Sequence, residues 1–317
     1  VAIGQIGNRK LAMSKGVHRF ALLVAVATFF LIIAGANVTS HDAGLAVPDW
    51  PLSFGKVFPQ MVGNVFWEHG HRMIAATVGF LTIGLAIYLQ IREPRRWVKR
   101  LGWFALGLVI VQGLLGGLTV KLLLPLWVSA AHATLAQLFF LTTVSIAVFT
   151  SRSWTDAEPK IFAGGNGVSV RTLCVASLGL ILMQLVLGAT LRHSATWNEL
   201  LPTGLLVAHI TGAVVVTIAL GITAASVLLR HREEKFLTRP AIVALGLLFV
   251  QLMLGLAAYV TRAASPYGAQ PLNPMIAVTV AHVACGALVF AATILLTLRV
   301  FRVLRVEPRQ VGVLAPA

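Results

Sequence analysis

Four histidines lie where an ionisable side chain is costly. His71, His132, His209 and His282 fall inside long apolar stretches, and a polar group there is a functional candidate by default. Each precedes the first basic residue beyond its stretch (Arg92, Arg152, Arg230 and Arg299) by about 17–21 positions, or about 25–32 Å at the helical rise. The four imidazoles therefore share one depth, near one edge of the hydrocarbon. Neutral imidazole is a strong ligand for haem iron, and two histidines on facing helices can clamp a flat macrocycle between them. His71 with His132, and His209 with His282, would make two such sites. One such histidine alone reads as a helix-end residue bonding a carbonyl or interfacial water. Four in equivalent places call for a common explanation.

Other chemistry fits less well. Zinc wants ligands converging on one ion, often with cysteines or carboxylates. The two cysteines, Cys174 and Cys285, sit in separate stretches with no C-x-x-C-H signature and read as packing residues. Glu68 is three residues before His71 and so shares its helical face about one turn away. It suits proton transfer at a boundary, or complements a helix dipole in the first turn. Arg72 suits a haem propionate or a lipid headgroup. The segment from Gly35 to Leu52 is rich in Gly, Pro and Trp and long enough to fold over a site mouth. Within it His41 and Asp42 read as a solvated pair. His69 is expected to point away from the Glu68–His71 face, and His18, His193 and His231 read as solvated or topological residues.

The elements that must position these residues follow from composition. Of 317 residues 58% are hydrophobic and 11% charged, with mean hydropathy +0.88, against about 25% charged in a soluble domain. A water-soluble enzyme, a disordered chain and a disulfide scaffold are excluded. The formal charge of +15 does not indicate nucleic acid, because the basic residues come in short groups between apolar runs.

Eight runs are long enough to cross a membrane as helices, near 18–39, 67–90, 101–120, 126–150, 171–191, 204–229, 241–261 and 275–298. None alternates with the period of a β-barrel strand. The expectation is an all-α integral membrane protein. Of the 25 Lys and Arg, all but Lys56, Arg72, Lys121, Arg192 and Arg262 fall on one side of this topology. That asymmetry predicts both termini in the cytoplasm and a multi-pass protein of the inner (plasma) membrane, in contact with its lipids. The stretch Val1–Val17 has no signal core and reads as a cytoplasmic tail.

The chain also looks doubled. Spans three, five and seven carry Gln112-x-x-x-Gly116, Gln184-x-x-x-Gly188 and Gln251-x-x-x-Gly255, while spans four, six and eight carry Ala131-His132, Ala208-His209 and Ala281-His282. Two pseudo-symmetric four-helix bundles are expected: an N-terminal half over 1–150, a cytoplasmic linker over 151–170 and a C-terminal half over 171–317. The Gln-x-x-x-Gly pairs read as helix-packing devices.

The run Glu68-His-Gly-His71-Arg72, the segment Gly44-Leu-Ala-Val-Pro-Asp-Trp50-Pro51, the histidine-bearing even spans and the two-half layout resemble the haem A synthase family over nearly the whole chain. The resemblance implies an oxidoreductase that converts the C8 methyl of haem O to the formyl of haem A for terminal oxidases. It implies that His209 and His282 hold a haem B cofactor, and that His71 and His132 line the substrate haem site with Arg72 beside them. Glu68 would be an essential neighbour, stabilising charge at the oxidised methyl or deprotonating water. A haem O synthase and an electron donor are the implied partners; the oligomeric state is left open. Many bacterial relatives carry a cysteine pair in the first external loop; this chain has Val47 and Ser53 there, so a mechanism needing those thiols is in doubt. The histidines alone would equally suit a non-catalytic di-haem cytochrome taking electrons from quinol. A repeat transporter with histidine proton relays would need mid-membrane charges, and none is seen.

Overall fold

The computed structural model describes residues 15–162, 168–194, 201–263 and 272–306. Eight of its helices are long and apolar enough to cross a membrane: α1 (Lys15–Ser40), α2 (Asn64–Arg92), α3 (Arg96–Lys121), α4 (Leu126–Phe149), α6 (Val170–His193), α7 (Thr203–Arg230), α8 (Lys235–Ala263) and α9 (Asn273–Val303). The protein is an all-α, multi-pass membrane protein. The first 14 residues of the expected N-terminal tail lie outside the described residues.

Each helix except α4 runs past its expected span at one or both ends, because backbone hydrogen bonding continues into polar residues that an apolar-length criterion leaves out. The largest difference is in α8, expected from 241 but beginning at Lys235 with Pro240 inside it. Proline has no N–H for the carbonyl four residues back. That carbonyl belongs to Phe236, and Arg299 Nη1 of α9 donates to it at 3.0 Å. A neighbouring helix thus supplies the missing donor.

The described residues of the segment expected as a linker carry regular structure. Ser151 caps a short helix, α5 (Arg152–Thr155), by accepting from the Trp154 amide at 3.2 Å. Strand β1 (Lys160–Phe162) then pairs in parallel with β2 (Leu304–Val306). These two short strands are the only ones among the described residues. Lys160 pairs with Glu234 at 2.5 Å, and Arg171 donates to the Leu304 carbonyl.

Contacts close into two cycles. In the first half α1 packs on α2, α2 on α3, α3 on α4 and α4 back on α1; in the second, α6, α7, α8 and α9 do the same. The halves meet where α1 touches α9 and where α4 touches α6 and α9. Val24, Val78, Leu85, Phe139 and Ile146 fill the first core, and Leu220, Ala244, Leu248 and Phe290 lie in the second. Ile32, Phe140 and Ala287 form a cluster across the junction. Lipid is as apolar as leucine, so close packing and polar contacts hold these helices together more than hydrophobic burial does.

Candidate functional site

Every one of the four histidine rings rests on a glycine of the preceding long helix. A Cβ added at Gly35, Gly116, Gly188 or Gly255 would stand 3.1, 3.1, 2.9 or 3.0 Å from the ring Cε1 of His71, His132, His209 or His282 respectively. Only a residue without a side chain leaves room for imidazole that close to the helix backbone. The glycines of the Gln-x-x-x-Gly motifs therefore seat histidines as well as packing helices. Gly35 of α1 plays the same part, and the sequence reading missed it.

One turn before three of these glycines stands a glutamine that reaches the same histidine. Gln112 Nε2 donates to the His132 carbonyl at 2.9 Å and lies 3.4 Å from its ring Nε2. Gln184 Nε2 donates to the His209 carbonyl at 2.8 Å and meets its ring Nδ1 at 3.0 Å. Gln251 Nε2 lies 3.3 Å from His282 Nε2. The position equivalent to these glutamines before Gly35 is Leu31. Among the described residues no hydrogen bond reaches either ring nitrogen of His71, and its Nδ1 is buried.

His209 and His282 face each other across the second half, their ring centres 6.4 Å apart and their planes at 76°. Two metal–imidazole bonds of about 2 Å, with roughly 1 Å from each nitrogen to its ring centre, span about 6 Å. The pair thus has the separation that a haem iron ligated on both faces requires. Each ring has one nitrogen beside its glutamine, and the other nitrogen of His282, Nδ1, is buried without a partner. In the first half His71 lies within electrostatic reach of His132. No cluster of three or more His, Cys, Asp or Glu converges on a metal position among the described residues. Such a cluster is not what a paired-histidine haem needs.

Glu68 and Arg72 are occupied with the connection between α1 and α2. Glu68 is 4% exposed; its Oε2 accepts from the Val47 amide at 2.8 Å and its Oε1 from Arg72 Nη2 at 2.5 Å. Arg72 Nη1 donates to the carbonyls of Asp49 at 2.7 Å and Leu52 at 2.9 Å, and reaches Ser53 Oγ at 3.4 Å. One guanidinium fork thus gathers three points of the loop onto one turn of α2. Trp50 seals the far side, its indole lying where a Cβ on Gly117 of α3 would be, 2.7 Å away. Gly117 adjoins the glycine that seats His132. The loop is therefore a fixed cover anchored beside both first-half histidines.

The structure also places several residues that the sequence reading set aside. His69 is buried, and its Nδ1 bonds Ser53 Oγ at 2.8 Å. His41, read as solvated, is only partly exposed: it stacks on Trp67 with ring centres 3.8 Å apart, and its Nδ1 bonds the Asn37 carbonyl, while Asp42 is exposed. His18 ties α1 to α4 through the Ala147 carbonyl at 3.0 Å. His231, closing α7, is held below the usual histidine range, by burial first and by Arg230, with Glu234 opposing. Cys174 and Cys285 are buried and unpaired.

Comparison with known proteins places this architecture. Residues 18–203 match the COX15-CtaA family, described as cytochrome oxidase assembly protein. A heme A synthase of Bacillus licheniformis is 25% identical over 193 residues, covering 58% of this chain and 61% of the relative. The heme A synthase of Alkalihalophilus pseudofirmus is 31% identical over 161 residues, 48% of this chain and 53% of the relative. That of Symbiobacterium thermophilum is 27% identical over 183 residues, 56% and 60%. The chain thus spans about half to three fifths of the length of the curated relatives it matches. The family match alone covers more than half of the chain, including Glu68, His71, Arg72 and His132, and on that ground the chain belongs to the COX15-CtaA family of cytochrome oxidase assembly proteins.

Proposed function

We propose that this protein is a haem A synthase, oxidising the C8 methyl of haem O to the formyl group of haem A for terminal oxidases. The family and the names of its relatives support the activity. The observation that carries the site is the pair His209 and His282, with ring centres 6.4 Å apart between facing helices. These two hold the resident haem B, and His71 with His132 take the substrate haem.

The roles divide by chemistry. Held between His209 and His282, a resident haem would supply electron transfer. Turning a methyl into a formyl removes four electrons and adds one oxygen atom, so an electron acceptor is needed. The substrate is attacked at its rim, and the residues of this chain act there by positioning. His71 and His132 set the macrocycle's depth, and the latched loop excludes water above it. Glu68, held by Val47 and Arg72, fixes a carboxylate one helical turn from His71. There it stabilises positive charge at the reacting carbon or accepts a proton.

The same reading takes the two contact cycles as pseudo-symmetric halves divided in 151–170. It places both termini in the cytoplasm and the histidine pairs toward the outer face of the inner membrane. A haem O synthase delivers the substrate, and a separate donor or acceptor exchanges the electrons.

The test is to express the chain with a source of haem O and extract the pigments. Formyl or hydroxymethyl haem is expected. Bound haem without any such product, in folded protein, would instead indicate a plain di-haem cytochrome. Glu68→Gln is expected to leave haem bound and abolish product; full activity in that variant would retire Glu68 as a participant.

A further inference from the structure

The four histidine seats are built to one plan with one omission. Gln112, Gln184 and Gln251 each stand four residues before the glycine that seats His132, His209 and His282; before Gly35, which seats His71, the residue is Leu31. We propose that these glutamines are positioning residues that fix three haem ligands, and that His71 is the exchangeable ligand through which the substrate haem enters and the product leaves. This rests on the haem reading above.

The physical argument starts from ligand orientation. A histidine that binds metal through one ring nitrogen is normally held through the other, which fixes its ring angle and raises its basicity; losing such a partner typically costs about 10–100-fold in metal affinity. In His132 and His209 the glutamine also grips the histidine's own carbonyl, at 2.9 and 2.8 Å, so ring and backbone are tied together. The glutamines themselves are confined. A Cβ on Gly212 would fall 2.1 Å from Gln184 Oε1, and one on Gly286 would stand 3.2 Å from Gln251 Nε2. Both glycines follow the histidine by about one turn on its own helix, so α7 and α9 each carry a histidine and a notch for the glutamine that holds it.

His71 has the glycine seat alone. Leu31 is apolar and partly buried against the first core, with nothing to offer an imidazole nitrogen. A resident haem benefits from two fixed ligands. A haem that must be bound, altered and released needs one axial bond that breaks readily, and the first half provides one fixed ligand, His132, opposite one loosely held. The asymmetry therefore separates the resident pocket from the substrate pocket by construction.

The experiment uses the full chain in detergent, loaded with haem B as the probe in both pockets, and follows haem transfer to excess apomyoglobin. Two phases are expected, and His209→Ala should remove the slow one. Leu31→Gln should slow the fast phase about tenfold, and Gln184→Leu should speed the slow phase by about as much, the lower end of the range for such partners. Carbon monoxide gives a second readout. It should bind the fast-exchanging ferrous haem in the wild type by displacing His71, and bind it less in Leu31→Gln; Gln184→Asn should restore part of the Gln184→Leu defect. Should Leu31→Gln fail to fold, the Gln184 variants and carbon monoxide binding still decide. Equal transfer rates from both pockets, or Gln184→Leu with an unchanged slow phase, would overturn the inference and leave the haem reading standing. Protein that folds yet binds no haem would overturn both.

Discussion

His209 and His282 each lie on a glycine and against a glutamine of the preceding helix, whereas in the first half only His132 does. What the first half has beside its odd histidine is the cover over residues 41–63. Glu68 and Arg72 of α2 hold it down, and Trp50 is set into the Gly117 notch of α3. One region fixes its histidines from within the bundle; the other has a loop anchored over its helix ends. A side chain inside a bundle is trapped once the helices are packed, whereas a loop opens at the cost of its hydrogen bonds and of the Trp50 contact, without parting the helices. The comparison teaches that similar helices carrying similar histidines can be held in two ways, one by packed neighbours and one beside an anchored loop.

The strongest way to break this contrast is Glu68→Ala. It removes the acceptor of the Val47 amide and leaves Arg72 without its carboxylate, and breaking a buried ion pair on one side costs about 3–5 kcal/mol. Hydrogen exchange should show the amides around Val47 and Ser53 losing protection, with α7 and α9 unchanged. Loss spread equally over both halves would mean that the loop is no separate device. A somewhat smaller effect is expected from Gly212→Ala. The new methyl would drive Gln184 from its place, leaving polar groups unmatched at about 1–3 kcal/mol. A shifted absorption band of the haem proposed to bind at His209 and a lower unfolding temperature are the readouts. Gly221→Ala on the same helix, where a Cβ meets open space, is the control, expected to be neutral or slightly stabilising. If both substitutions behave alike, Gln184 has no special hold on His209.

Much of this was legible in the residues. The eight spans follow from apolar length, and the histidines declare themselves because an ionisable group is rare at that depth. The limits of α8 were not, since they depend on an arginine 63 positions away meeting the carbonyl that Pro240 leaves open. The same holds for the parallel pairing of 160–162 with 304–306, which is too short to leave a pattern. At the site, Gln-x-x-x-Gly was visible as a repeat but not as a histidine seat, because sequence does not reveal which residue of the next helix fills the gap. Gly35 escaped notice since its repeat is broken at Leu31. The loop network was invisible for a related reason: Glu68 and Arg72 bond residues 19–25 positions away or on their own turn, and no local spacing foretells that Val47 and Asp49 will be their partners.

The mildest test of the cover addresses its own internal turn. Phe54 and Gly55 both have positive φ, 54° and 69°. For phenylalanine that conformation costs roughly 1–2 kcal/mol. Asp49 compensates by accepting from both amides, at 2.7 Å from Phe54 and 2.8 Å from Gly55. Those amides, Gly55 first, hold its carboxyl below the ordinary value of 3.8. A depressed carboxyl pKa means that the folded turn favours the ionised form. Its stabilising contribution is complete above the ordinary value and is lost as pH falls through the depressed one. Carbon-13 titration of the Asp49 carboxyl should therefore give a midpoint below 3.8, and acidification through it should loosen the turn at 53–56. A midpoint at or above 3.8 would show that the turn stands without Asp49, leaving the α2 anchor and Trp50 as the parts that close the first half.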